Sequence, residues 1–523
     1  MILKLRGGAP LSTLLAGTLL LTATGLFSQV VGFVYRMFLS RLIGAETMGL
    51  YQLVMPAYSM LMSVTAVGLT VAVSTLSARY HALGDDGTVR HILRRALGGF
   101  FLLAVPLGVA VAALSDPISV YLLGDARTRL GVVLLVPCVL LTGVENLHKH
   151  CFYGIGRVRP PAAVETAEQL IRAGAVLGLL VVLLPRSAEE TVGIIVLGMV
   201  LCEVCSACAL TLLFRRHWRQ FPPGPAREEV SRRRLFAIAL PVGATSLLGT
   251  VLGCANSVLI PAKLVEGGMA LPEAMSEFGV LCGMTLPLLG LPTGFIGALC
   301  LVMVPDLSRR TARGDRRAAA GFLDRVMSAT SLLMAPAMAL LAVVGPTIGR
   351  AMFRDGRVGE LILPLAIGTL LGCWQSVLGG ALNGLGLQGK GARNAILSDA
   401  AQLAFTFFAV PRWGLPGFAA GFVVSGIVGA GLNLASVLRA AELRARWFRW
   451  FGRPLLAAVF MGLWCNLFFR VMLDAGCGQG WSALACSALG LVLYTAALLA
   501  QGTSVTVLFT QLGAQFKQRR HTA

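Results

Sequence analysis

The chain is 523 residues long, 56% hydrophobic and only 13% charged, with a mean hydropathy of +0.78 and a formal net charge of +20. So apolar a composition excludes a soluble globular protein. Apolar stretches of about twenty residues recur along its whole length, each enough to cross a hydrocarbon core of about 30 Å as a helix, which satisfies its own backbone groups there.

Fourteen spans are expected in chain order, centred near Ala23, Ser63, Val105, Val139, Val176, Gly198, Gly249, Leu289, Met334, Leu371, Phe405, Val424, Phe460 and Leu491. The fold class is therefore all-α integral membrane. The first apolar run is too long for a cleavable signal peptide and no small-residue processing site follows it, so it is expected to stay on the chain. Of the 44 Lys and Arg, thirty-two fall at the termini and in every second loop and ten in the alternate loops. That bias is the positive-inside pattern, which puts both termini in the cytoplasm and requires an even number of spans. The run Arg232-Arg233-Arg234 is read as a topology anchor meeting anionic headgroups, and no nucleic-acid partner is expected.

Polar residues inside the spans are the candidates for function. In span one Arg36 closes an otherwise uncharged segment, and no acidic residue precedes Glu46. A cation at bilayer depth costs roughly 2.5–3.5 kcal/mol on insertion scales, so it faces a cavity or a partner; the alternative is an arginine snorkelling to the outer headgroups. Spans one and two add Ser28, Gln29, Tyr51, Gln52 and Tyr58, span seven Asn256, and span eight Thr285 and Thr293. Glu168 and Arg172 stand four apart in span five, one helical turn, and read as a mutually neutralised structural pair. Glu165, Glu203 and Asp399 have no local partner in sequence, which leaves an ion or proton relay open. Pro56, Pro287 and Pro292 interrupt spans two and eight and are hinge candidates.

Two lures carry no chemistry. Cys202, Cys205 and Cys208 have cluster-like spacing but lie mid-span with no fourth cysteine in reach, and Gly384 to Lys390 imitates a phosphate loop but has Gly391 where the magnesium-binding hydroxyl belongs. No nucleophile elbow, zinc motif or paired catalytic carboxylates stand in a soluble segment, so neither an enzyme, a metal site nor a cofactor is expected.

A constant shift of 230 residues superimposes Gly49 on Gly279, Arg79 on Arg309, Gly84-Asp85 on Gly314-Asp315, Arg95 on Arg325, Pro106 on Pro336, Gly154 and Gly156 on Gly384 and Gly386, Glu203 on Asn433 and Ser206 on Ser436. Each repeat holds six spans, an even number, so the two enter the membrane in the same sense as parallel repeats. The expected organisation is a six-helix lobe over 10–215, a basic linker over 216–234 containing Phe221-Pro-Pro-Gly-Pro225, a second six-helix lobe over 235–440, and two unpaired spans over 451–502. Two similar bodies around one site are what alternating access requires.

The stretch Leu39-Ser-Arg-Leu-Ile-Gly-Ala-Glu-Thr-Met-Gly-Leu-Tyr-Gln-Leu53, with the upstream Gly32-Phe-Val-Tyr-Arg36, resembles the stage V sporulation protein B family of polysaccharide exporters. Glu168-Gln-Leu-Ile-Arg172, Gly283-Met-Thr-Leu-Pro-Leu-Leu289 with Pro292, Val304-Pro-Asp-Leu-Ser308 and Gln375 to Gly386 extend the resemblance over most of the chain. It implies the multidrug, oligosaccharidyl-lipid and polysaccharide exporter superfamily, which includes the lipid II flippases. It further implies an undecaprenyl-linked oligosaccharide substrate turned to the outer leaflet, in cell-wall or spore-cortex synthesis. Arg36 is then the expected pyrophosphate contact, because guanidinium binds phosphate oxygens in pairs, and Ser28, Gln29, Tyr51, Gln52, Asn256 and Thr285 are expected to meet the sugar. The sequence departs from such relatives at Gln29, where a second arginine is common, and at Asn256, where Asp is common. Expected partners are the lipid-linked sugar, membrane lipids and a coupling ion (H+ or Na+), with the protein acting as a monomer. Two other readings stay open: a multidrug or cation antiporter, against which the absence of an acid between Pro10 and Arg36 speaks, and a nontransporting scaffold for cell-wall enzymes.

Overall fold

The computed structural model describes residues 11–219, 232–442 and 444–502, and all regular structure among them is helical. The proline-rich centre of the expected linker, 221–225, lies outside the described residues. We label the longer helices α1 (Leu11–Met62), α2 (Gly68–Ala82), α3 (Asp86–Ala113), α4 (Arg129–Gly154), α5 (Arg159–Leu183), α6 (Ala188–Trp218), α7 (Arg232–Glu266), α8 (Leu271–Phe278), α9 (Gly294–Ala312), α10 (Arg316–Phe353), α11 (Ile362–Gly384), α12 (Gln388–Phe408), α13 (Leu415–Ala441), α14 (Arg453–Asp474) and α15 (Gln479–Ala500).

Among the described residues, twelve helical segments are long and apolar enough to cross a membrane. The fourteen expected spans exceed that number for two physical reasons. The first segment, Leu20–Ala82, is 63 residues long, about 95 Å at 1.5 Å per residue and three times a hydrocarbon core. It breaks at Gly44, whose φ of 77° and ψ of 172° lie outside the helical region and are open to glycine. The second reason is α12, which lies at the expected span near Phe405 and is not among the twelve: it carries Lys390, Arg393, Asp399 and Gln402.

The helices pack as two compact units. The first runs to Ala262 and takes in Leu271–Gly279; the second holds Lys263–Ala270 and continues from Val280. This division differs from the expected lobe start at 235, because most of α7 packs into the first unit. A Cβ added to Gly68 would meet the Ala239 carbonyl oxygen at 2.2 Å, so the backbones of α2 and α7 touch there. Cys254 Sγ also donates to the Pro56 carbonyl at 3.2 Å. In the second unit the two unpaired helices α14 and α15 lie on α10: Met461, Cys465, Phe469 and Leu498 are buried with Ala329 and Leu332, and Tyr494 Oη donates to the Leu332 carbonyl at 3.2 Å.

The repeat is visible in local geometry. Asp85 accepts from the Thr88 amide at 3.0 Å and Asp315 from the Ala318 amide at 2.9 Å, so the same N-cap opens α3 and α10. In the turns before α4 and α11, Asp125 accepts from the Arg127 amide and Asp355 from the Arg357 amide, both at 3.0 Å, and each arginine returns an Nη2 donor at 2.7 Å. The Arg357 guanidinium holds the Asp355 carboxyl below its ordinary value.

One packing contact is reciprocal. A Cβ on Gly49 would lie 2.0 Å from the Met275 carbonyl oxygen, and a Cβ on Gly279 would lie 1.9 Å from the Ala45 carbonyl oxygen. Small residues at such crossings let membrane helices approach backbone to backbone. Gly49→Leu is therefore expected to force α1 and α8 apart and to destabilise by about 1–3 kcal/mol or more. Thermal unfolding in detergent checks this, and a melting temperature equal to wild type would show that the contact is not held.

Candidate functional site

Five ionisable side chains meet inside the first unit. Glu145 and Lys149 are one turn apart on α4, Glu168 and Arg172 one turn apart on α5, and Glu203 projects from α6. Burial of Glu145, Glu168 and Glu203 is nearly complete, at 1%, 6% and 1% exposure, and one carboxylate oxygen from each lies within 4.8 Å of the others. Arg172 Nη2 pairs with Glu168 and reaches Glu203 Oε1 at 3.1 Å, while Lys149 Nζ stands 2.9 Å from Glu145 Oε1. Three carboxylates are thus set against two cations, one positive charge short of neutral. Glu203 Oε2 is buried with no hydrogen-bond partner. Because an unpaired carboxylate is costly inside a bilayer, the deficit gives the cluster a use for one more positive charge, a proton or a monovalent cation.

The expected Glu168–Arg172 pair is present, and Glu203, which lacks a partner in sequence, completes it. Glu145 and Lys149 were missed. Their spacing of four in an apolar span carried the same signal as Glu168 and Arg172. Of the three cysteines nearby, Cys202 is buried and its Sγ donates to the Glu168 carbonyl at 3.2 Å, while Cys205 and Cys208 are exposed.

The same shift of 230 applied to Glu145, Glu168, Arg172 and Glu203 lands on Gln375, Ser398, Gln402 and Asn433. These too are joined, but by neutral hydrogen bonds. Asn433 Nδ2 donates to the Gln375 carbonyl at 3.1 Å, Ser398 Oγ to Gln375 Oε1 at 3.4 Å, and Ser425 Oγ bridges to Gln402 Oε1 at 3.2 Å. The second unit keeps the positions and removes the charge. Asp399 beside this network is half-buried and has no ion-pair partner among the described residues.

Arg36 lies on α1, exposed, with no acidic partner among the described residues. Its neighbour Tyr51 is buried, donates to Met199 Sδ at 3.8 Å and lies within electrostatic reach of both Arg36 and Arg172. Tyr35 Oη and Ser28 Oγ are buried without hydrogen-bond partners. Ser28, Gln29, Gln52 and Asn256 are half-buried and belong, with Arg36 and Tyr51, to the first unit. Thr285 belongs to the second unit, is 2% exposed, and its hydroxyl donates to the Val358 carbonyl at 3.3 Å. Glu266, the repeat counterpart of Arg36, pairs with Lys263 at 2.6 Å, and the Lys263 ammonium lies 3.6 Å from the Phe407 ring centre. Of the three prolines, Pro56 sits inside α1 ahead of a π-helical turn at Ser63–Val67, Pro287 opens the short helix Leu286–Gly290, and Pro292 lies in the 3-10 turn Leu291–Thr293.

The model of the polysaccharide biosynthesis protein family matches residues 14–275, half of the chain. The chain is 26% identical over 444 residues to Stage V sporulation protein B of Bacillus subtilis (strain 168), covering 82% of this chain and 83% of the relative. It is 26% identical over 170 residues to Lipid II flippase MurJ of the same organism, covering 31% of each. Among solved structures, Lipid II flippase MurJ in an inward closed conformation superposes with a TM-score of 0.70 at 13% identity, covering 92% of this chain and 98% of the other. An inward-facing multidrug resistance MATE family transporter superposes with a TM-score of 0.59 at 15% identity, covering 82% and 100%. Such identities speak for the fold alone, whereas the family match reaches the chain itself. The chain belongs to the polysaccharide biosynthesis protein family and is a multi-pass membrane protein.

Proposed function

We propose that the protein turns an undecaprenyl-pyrophosphate-linked oligosaccharide or peptidoglycan precursor from the cytoplasmic to the outer leaflet by alternating access, in cell-wall or spore-cortex synthesis. The observation that carries this reading is the reach of the structural likeness. The flippase fold accounts for 92% of the chain and the multidrug fold for 82%; a drug antiporter core leaves more of this chain unexplained. In this reading Arg36 meets the pyrophosphate, and Ser28, Gln29, Tyr51, Gln52 and Asn256 offer neutral donors and acceptors to the sugar. Thr285 is not carried forward, since its hydroxyl is engaged with Val358. Pro56, Pro287 and Pro292 are the hinges, and both termini are cytoplasmic.

Coupling is assigned to the charged cluster of the first unit. Tyr51 feels the charge of both Arg36 and Arg172, and Arg172 in turn reaches Glu203 Oε1 at 3.1 Å, which links an anion arriving at Arg36 to the cluster electrostatically. A proton or sodium ion entering the cluster supplies the missing positive charge. The test is reconstitution of the full chain in liposomes carrying fluorescent lipid II or other undecaprenyl-pyrophosphate sugars, with pH and sodium gradients imposed separately. Turnover of these lipids but not of cationic dyes is expected. Dye transport without lipid turnover would favour the antiporter, and neither would favour a scaffold.

A further inference from the structure

The first unit carries a second basic site that the transport reading leaves unused. A cavity of about 650 Å³ opens between α3, α4 and α6. Its rim bears Arg90 and Arg94 from α3 and Arg215 from the last turn of α6, all three exposed and without an acidic partner among the described residues. The acids that open α3 are engaged elsewhere: Asp85 caps the helix through Thr88, and Asp86 lies 2.6 Å from His81 Nδ1. Arg90 and Arg94 stand one turn apart on the same face, where like charges repel. Leu97, Phe101 and Phe214 form an apolar floor. Phe214 is held in place there, because it stacks on Trp218 at 4.3 Å and Trp218 Nε1 donates to the Asp86 carbonyl at 3.1 Å.

Three uncompensated guanidinium groups over an apolar floor match an amphiphile with an anionic head. We propose that this cavity binds an anionic phospholipid of the adjoining leaflet, its phosphate held by Arg90, Arg94 and Arg215 and its acyl chain lying over Leu97, Phe101 and Phe214. Guanidinium pairs with phosphate oxygens through two donors at once, and its weak hydration favours such a half-buried contact. The site requires only that the protein reside in a membrane, so it stands or falls separately from the transported substrate.

The test uses the full chain in neutral detergent, with phosphatidylglycerol and phosphatidylcholine of identical acyl chains titrated in and adducts counted by native mass spectrometry. Wild type is expected to take up phosphatidylglycerol at far lower concentration than phosphatidylcholine. Arg90→Gln with Arg94→Gln is expected to weaken that binding roughly thirtyfold. A control pair, Arg313→Gln with Arg317→Gln, removes the same charge from exposed positions elsewhere and is expected to leave it unchanged. Both variants are to melt within a few degrees of wild type; if the first does not, the single change Arg215→Gln takes its place, with about a fivefold loss expected. Equal losses in the cavity and control variants would overturn the proposal in favour of diffuse surface charge. Displacement of phosphatidylglycerol by undecaprenyl pyrophosphate or inorganic pyrophosphate at lower concentration would overturn it in favour of a pyrophosphate site.

Discussion

Arg36→Ala is expected to slow turnover of an undecaprenyl-pyrophosphate sugar about ten- to a hundredfold while leaving the melting temperature unchanged. A charge-assisted hydrogen bond contributes about 1.5–3 kcal/mol, and each 1.4 kcal/mol is a factor of ten in rate. The side chain is exposed and has no acidic partner among the described residues, so its removal strands no buried carboxylate and stability should stay within about 0.5 kcal/mol. Arg36→Lys separates charge from geometry. Lysine keeps the point charge but loses the planar fork, so an intermediate rate is expected if phosphate is held at two oxygens. The measurement is the rate of fluorescent lipid turnover in proteoliposomes at matched protein density. An undiminished rate for the alanine variant would remove Arg36 from the site and return it to the headgroup region as a snorkelling side chain.

Arg172→Ala is expected to act in the opposite way, on the fold first. Arg172 pairs with Glu168 and lies 3.1 Å from Glu203, both nearly fully buried. Deleting one partner of a buried ion pair costs on the order of 3–5 kcal/mol, because an uncompensated charge is left behind. Replacing Arg172 and both of its carboxylate partners with neutral polar groups, Arg172→Gln with Glu168→Ser and Glu203→Asn, leaves the Glu145–Lys149 pair balanced and should recover much of that loss. Those are the residues that the second unit already carries as Gln402, Ser398 and Asn433. Unfolding in detergent measures both variants. If the neutral set restores the melting temperature but abolishes the response of turnover to pH and sodium gradients, the cluster is the coupling site. If gradients still act on it, the charges serve folding alone. A single Arg172→Ala variant as stable as wild type would mean the buried carboxylates are already neutralised by something other than this arginine.

The parts of the molecule that could be read from sequence are those written in local spacing. The apolar runs gave the helices, the shift of 230 matched Asp85 to Asp315, which the structure shows as equivalent caps, and the four-residue interval gave Glu168 with Arg172. Contacts between helices were hidden, since lipid is as apolar as a leucine face and hydropathy cannot say which face meets which helix. Glu203 found its partner 31 residues away on α5, and Glu145 with Lys149 joined from α4. The same limit moved the unit boundary: the charge-rich linker marked a change of repeat, but Gly68 against Ala239 draws α7 to the first unit. Thr285 illustrates the converse, a polar residue whose partner is a backbone carbonyl 73 residues on.

The crossing of Gly49 with Met275 and of Ala45 with Gly279 has a symmetry of its own. Under the shift of 230, Gly49 corresponds to Gly279 and Ala45 to Met275, so each residue touches the counterpart of the residue that touches its own counterpart. In symmetry terms the contact is isologous, the relation across a two-fold axis. An isologous patch is consumed when two copies meet and leaves no face for a third, whereas a head-to-tail patch would leave one open at each end. That crossing is therefore used up within the first unit, and α14 and α15 pack on α10 instead.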